Sequence, residues 1–238
     1  MITLYQLPPA HGMPVSTSPY CAKLDAYFRL TDRPFTHAKA DLMKSPTKTV
    51  PYIQRDDGPL QGDSQAIIPA LEAEGPALDG DLSDEQRAAA AHLAARAEEV
   101  LYFVVLFSRF VDPEGWKLQH AVVKGLVPWV VAPLAVPFIR RSQVKRCTAA
   151  GFTEVEPTYA AGNEVLDELA EALDDGRPFF LGDAPHVVDC AVWGELVHAA
   201  TPPFDNTLTR HFHADDRLTA YLRRMNERLG LDPGLGGV

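Results

Sequence analysis

No strand-like alternation recurs after residue 82, and that break divides what this chain can fold into. Before it, residues 2–7 alternate apolar and polar side chains, as a half-buried strand does. Pro19 to about Leu30 reads as a helix, with Leu24, Tyr27, Phe28 and Thr31 on one face. Phe35 to Ala40 reads as a second strand, and Asp41 to Thr49 as a loop with a Ser45-Pro46 turn. Val50 to Gln54 and Gly58 to Gln61 form a hairpin around Asp56-Asp57-Gly58, and Ser64 opens a helix to about Glu74. After the break, Ser83 and Gln86 have capping-box spacing. Helical stripes follow at Leu93, Ala97, Val100, Leu101, Val104 and Phe107, and at Tyr159, Gly162, Leu166, Leu169 and Leu173. A shorter helix starts near Asp189, and a last one covers about Arg217 to Leu229. The expectation is an α/β unit over residues 1–75, a linker over 76–82, and an all-helical unit over 83–238 whose Gly-rich tail from Gly230 is mobile.

A net charge of -10 and no long Lys/Arg tract argue against a nucleic-acid partner. Cys21, Cys147 and Cys190 are odd in number and far apart, which points to a reducing compartment rather than a disulfide framework. Met1 to Tyr5 lacks the basic and apolar regions of a signal peptide, so a cytoplasmic location is expected. Gly125 to Ile139 is the most apolar stretch, but it is too short to span a bilayer and is broken by Pro128, Pro133 and Pro137. A kinked, buried helix segment is expected there; the alternatives are an apolar wall for a hydrophobic substrate or a surface touching a membrane. Arg140, Arg141, Lys145 and Arg146 follow as a solvated basic face or a neutraliser of an anionic group.

The chemistry is concentrated in short words. Ser18-Pro19-Tyr20-Cys21 reads as a helix start, with Ser18 as cap and Pro19 at the first helical position. Unpaired amides at such a terminus stabilise an anion, a thiolate included. Asp63-Ser64 opens a second helix, and Val50-Pro51 lies between the two. Two anion-holding helix starts flanking a Pro-containing strand suggest a pocket for a small acidic thiol.

Taken in order with Asp189-Cys190-Ala191-Val192-Trp193-Gly194, these words resemble the glutathione transferase superfamily, most closely its failed-axon-connections and metaxin branch. The resemblance covers nearly the whole chain. It implies a thioredoxin-like N-terminal domain, an all-α C-terminal domain of glutathione-transferase type, and glutathione as cofactor. It places Ser18 opposite the glutathione sulfur, the alternative being a plain N-cap. Cys21, as the second cysteine position of redox relatives, could form a mixed disulfide or be an inert buried thiol. Val50-Pro51 matches the superfamily's cis-proline site, whose peptide pairs with the cysteinyl unit; an ordinary trans proline is the alternative. Asp63 and Ser64 match the γ-glutamyl site, the alternative being a cap without ligand. Tyr20 and Lys48 complete the implied cofactor contacts, although Thr49 stands where the family often has Lys or Gln. His186 replaces the family's Ser or Thr in the cap ending at Asp189, and Tyr5 is read as core rather than as a catalytic tyrosine. Tyr102, Phe103, Trp116 and Trp129 are candidates for an acceptor site or for simple core. No metal is expected, since His211, His213, Asp215 and Asp216 lack further ligands.

The implied activity is conjugation, substitution or glutathione-assisted isomerisation of a hydrophobic electrophile. The alternatives are a non-catalytic binding or scaffold protein, and a thiol reductase working through Cys21. A homodimer is usual in the resembling family.

Overall fold

The computed structural model describes residues 1–200 and 204–232. Its first part runs β1 (Ile2–Gln6), α1 (Pro19–Leu30), β2 (Phe35–Lys39), β3 (Tyr52–Arg55), β4 (Leu60–Gly62) and α2 (Ser64–Glu74). The sheet order is β2-β1-β3-β4. β1 and β2 run parallel across the α1 crossover, while β3 and β4 add antiparallel neighbours. This is the thioredoxin-like half of the fold. The 56–59 turn makes β3–β4 a hairpin, closed by the Gly58 N–H donating to the Arg55 carbonyl at 2.8 Å.

From residue 84 the chain is helical among the described residues. It forms α3 (Asp84–Ala95), a π-helical turn (Arg96–Leu101), α4 (Tyr102–Phe110), α5 (Pro113–Leu126), α6 (Ala132–Ala149) and α7 (Val155–Glu171). α8 (Val187–Ala200), α9 (Thr207–Ala214) and α10 (Asp216–Arg228) follow. Ser83 and Gln86 form the reciprocal capping box that their spacing predicts. The π-helical turn, α5 and α9 have no counterpart in the sequence reading. The tail from 233 lies outside the described residues.

α8 is the central post. Every residue from Val188 to Ala200 is buried. Asp189 closes the helix start, accepting from the His186 N–H at 2.8 Å, the Phe180 N–H at 3.2 Å and the Tyr221 hydroxyl at 3.2 Å. Burial pushes its carboxyl up to about 6, against those donors. Trp193 is anchored through its indole N–H to Asn226 at 2.9 Å. Beside it, Gly194 lets α8 touch the backbone that opens α1: a Cβ there would lie 2.9 Å from the Pro19 carbonyl oxygen and 3.2 Å from the Lys23 nitrogen.

The stretch from Gly125 to Ile139 departs from expectation. It is not a buried segment: Trp129, Val130, Val131, Leu134 and Phe138 are exposed. The chain leaves α5 at Leu126, turns through Pro128, and re-enters the core on α6 only at Ala132 and Val136. Apolar content gave no sign of this, because exposure follows from which face of α6 meets a neighbour.

Gly194→Ala is expected to lower stability by about 1–3 kcal/mol, as overpacking does, because its neighbours are backbone atoms that cannot rotate away. Thermal melting and urea unfolding would read this directly.

Candidate functional site

Strand register gathers the separated words. Tyr5 on β1 lies opposite Tyr52 on β3, and Tyr52 opposite Gly62 on β4. Val50-Pro51 leads into β3 and Asp63-Ser64 leaves β4, so both sit at the end of the sheet where β1 gives way to the loop before α1. Leu7 reaches the Cys21 thiol through its backbone, which ties the start of α1 to that same end. Tyr5 stacks on Tyr52 with ring centroids 4.6 Å apart, as a sheet residue rather than a reactive one.

Ser18 stands at the cap position of α1 with extended backbone, yet its side chain makes no cap bond. Its hydroxyl lies beside the Cys21 thiol instead, as does that of Ser16. Pro19 has no N–H, and the Cys21 amide turns back to the Ser18 carbonyl at 3.0 Å. The Tyr20 N–H is therefore left without a partner among the described residues. Cys21 itself is wholly buried, and burial pushes its thiol up to about 11 despite three donors. Its sulfur is enclosed, and burial favours the protonated form.

The Val50-Pro51 bond is cis. The peptide N–H and C=O of Val50 make no hydrogen bond among the described residues. The loop before them is held by the Ser45 hydroxyl, which donates to the Thr49 carbonyl at 2.7 Å. Lys48 donates to the Met43 carbonyl at 2.7 Å, so its ammonium is engaged within this loop. Asp63 adopts φ 73°, a costly conformation for a residue with a Cβ, and its carboxylate accepts from the Gln65 N–H at 3.0 Å. The Asp63 carbonyl takes the Ala66 and Ile67 amides, which leaves the Ser64 N–H unpaired among the described residues. Ser64 is buried with that free amide at the start of α2.

Glu98, which the sequence reading passed over, joins the two helix starts. From the π-helical turn its carboxylate accepts from Lys23 of α1 at 2.7 Å and from Gln65 of α2 at 2.5 Å. Its carbonyl accepts from the Tyr20 hydroxyl at 3.3 Å. A carboxylate at helical spacing from the buried Leu101 was the legible signal; the π-helical turn that aims it across the interface was not.

Behind Ser18 lies a buried charged layer. Arg109 donates to the Thr17 carbonyl at 2.9 Å and stays charged although burial pulls it down to about 10. His198 approaches the Ser16 carbonyl at 2.9 Å and the Gly194 carbonyl at 2.6 Å. Burial beside Arg109 pushes its pKa down to about 3, so the neutral ring donates from one nitrogen only. Together they fix the segment that delivers Ser18. Glu195 lies in the same layer with one carboxyl oxygen unpaired among the described residues. Burial and nearby Glu98 push its pKa well up, against Arg109 and Lys23.

On the helical side, the Tyr102 ring lies 4.9 Å from that of Tyr20, and its hydroxyl accepts from Arg146 at 2.8 Å. Phe103 packs on Tyr102 and Phe152, and Trp116 lies under Arg140 at 4.6 Å. Trp129 points to solvent and forms no part of this wall. His211 pairs with Asp167, His213 with the Ala200 carbonyl, and Asp215 caps α10, so these side chains do not converge.

The glutathione S-transferase N-terminal domain family matches residues 19–115, and the glutathione S-transferase C-terminal domain family matches residues 162–225. The chain is 31% identical to the isoprene-epoxide–glutathione S-transferase of Rhodococcus sp. (strain AD45), over 96% of this chain and 99% of that one. It is 27% identical to Failed axon connections of Drosophila melanogaster, over 82% of this chain but 49% of that one. Among solved structures it is similar to Gtt2 from Saccharomyces cerevisiae, with TM-score 0.61, 19% identity and coverage of 94% and 96%. It is also similar to a glutathione S-transferase from Methylobacterium radiotolerans in complex with glutathione sulfonate, with TM-score 0.59, 15% identity and coverage of 95% and 91%.

Two expectations follow from the buried charges. Glu98→Ala strands the Lys23 ammonium in the interface and is expected to cost about 3–5 kcal/mol, whereas Lys23→Met with Glu98→Leu recovers most of that in urea unfolding. For Glu195, a folded-state pKa above the unfolded value means its contribution is full in acid and lost as pH rises through the folded pKa. The stability of the wild type relative to Glu195→Gln should therefore fall as pH rises from 5 to 9 in unfolding curves.

Proposed function

The chain belongs to the glutathione S-transferase family, and from that premise we propose that it activates the glutathione thiol for attack on a hydrophobic electrophile. The observation that carries this reading is the set of unpaired groups at one end of the sheet: the Tyr20 N–H, the Val50 peptide, and the Ser64 N–H. They offer an anion-stabilising donor, a strand-like pairing edge and a second anion-stabilising donor, in the order a γ-glutamyl tripeptide requires. Glutathione supplies the nucleophilic sulfur when bound. Ser64 and its amide take the γ-glutamyl carboxylate, and Asp63 faces the ammonium. Val50 pairs with the cysteinyl peptide through both its N–H and its C=O. Ser18 turns its hydroxyl from Cys21 to the incoming sulfur, and the Tyr20 N–H adds a second donor. Tyr102 and Phe103 present the apolar side on which an acceptor can rest.

The whole-length relative of Rhodococcus favours an epoxide as the electrophile class. Such a reaction forms a C–S bond as the ring C–O bond breaks, and the released alkoxide takes up a proton. The second reading, a scaffold without turnover, draws on the likeness to Failed axon connections, which is lower in identity and spans half of that protein.

Thiolate absorbance of the bound tripeptide, followed against pH, should titrate about 1–2 units below the free thiol. Ser18→Ala should return that pKa towards the free value and cut conjugation at least about ten-fold, the loss of one charge-assisted donor. Cys21→Ser should leave both nearly unchanged. Binding without turnover over an electrophile panel would favour the scaffold, and an equal loss in Cys21→Ser would favour redox chemistry.

A further inference from the structure

We propose that the corner joining α5 to α6 docks on an anionic lipid surface, seating Leu134 and Phe138 among the acyl chains, Trp129 at the boundary with the headgroups, and Arg141 and Lys145 among the headgroups. Trp129, Leu134 and Phe138 are 83%, 82% and 74% exposed, high values for large apolar side chains clustered on one corner. The tryptophan suits the boundary between headgroup and hydrocarbon. Leu134, Phe138, Arg141 and Lys145 follow at spacings of four, three and four residues, so they share one face of α6. That face runs from apolar to basic along its length.

Charge identifies the partner. Between Glu114 and Glu154 there is no Asp or Glu, whereas Lys117, Lys124, Arg140, Arg141, Lys145 and Arg146 all fall there. The chain as a whole carries -10, so this is a basic island on an acidic protein. Arg140 is committed to the Phe110 carbonyl and Arg146 to the Tyr102 hydroxyl. Arg141, Lys145 and Lys124 are exposed and make no ion pair among the described residues. An apolar corner with basic residues beside it complements a sheet of anionic headgroups over hydrocarbon. Two copies of the chain meeting through this face would set Arg141 and Lys145 against their own likes with no acid in the segment to offset them. No helix among the described residues is long and apolar enough to cross a membrane, so the contact is a docking one.

Flotation of the whole chain with vesicles tests this. The protein should rise with vesicles of equal parts phosphatidylcholine and phosphatidylserine, and far less with phosphatidylcholine alone or in high salt. Arg141→Gln with Lys145→Gln should lower the partition coefficient by about 25-fold, at about five-fold per basic residue. Leu134→Asp with Phe138→Asp should abolish flotation while leaving the thermal melt in place, because both side chains are exposed. The proposal is overturned if the protein stays with the aqueous fraction, or if either variant floats as the wild type does. It is equally overturned if Leu134→Asp with Phe138→Asp converts a lipid-free dimer to a monomer in sedimentation velocity, which would assign the face to a second copy.

Discussion

The buried pair of Lys23 and Glu98 sets the geometry on which the site depends. Helix α1 and helix α2 start at the same end of the sheet, but the sheet fixes only their approach. Glu98 reaches from the helical side to both, and Tyr20 closes on the carbonyl of the same residue. Such a pair contributes little net stability, because desolvating two ions costs about what their attraction returns. Its contribution is to register: any slide of one half of the molecule against the other strands a charge. Glu98 thereby ties together the two helix starts that carry the unpaired amides of Tyr20 and Ser64.

Gly194 and the buried layer behind Ser18 supply the second half of that constraint. A side chain at Gly194 would meet the Pro19 carbonyl, so α8 and the start of α1 touch backbone to backbone. Arg109 and His198 then grip the carbonyls of Thr17 and Ser16, the two residues that deliver Ser18. The word Asp-Cys-Ala-Val-Trp-Gly acts through this contact rather than through chemistry of its own. Asp189 caps α8, Trp193 pins it to α10, and Gly194 brings it against α1.

What could be read in advance follows from how local its cause is. The alternation of β1, the hairpin at Asp56-Asp57-Gly58 and the Ser83–Gln86 capping box depend on neighbours within a few residues, and each appears where the pattern puts it. Ser18 shows the limit even there: it stands at the cap position with extended backbone, yet its side chain makes no cap bond. Glu98 was hidden by the π-helical turn, which shifts its direction without altering the apolar stripe. Residues 125–139 were misjudged for the opposite reason: composition measures how apolar a stretch is, and only packing decides whether anything covers it.

Helix α1 also carries its own control on how a sulfur becomes ionised. Cys21 lies in the first turn, within the same field of partial positive charge that the site relies on, and the Ser16 and Ser18 hydroxyls and the Leu7 backbone lie against it. Its pKa nevertheless rises to about 11, because complete burial outweighs the Ser18 and Ser16 hydroxyls and the Leu7 backbone together. A terminus supplies about 0.3–1 kcal/mol to an anion, and a hydrogen bond to a charged group about 1.5–3 kcal/mol. Desolvation of a fully enclosed anion exceeds that sum. On the proposed reading the reacting sulfur sits on the outer side of Ser18, where the same hydroxyl and the Tyr20 amide act on a group still reached by water. Donors of equal strength then lower the pKa rather than losing to burial, so it is the depth of the sulfur, more than the identity of its donors, that separates the working thiol from the inert one.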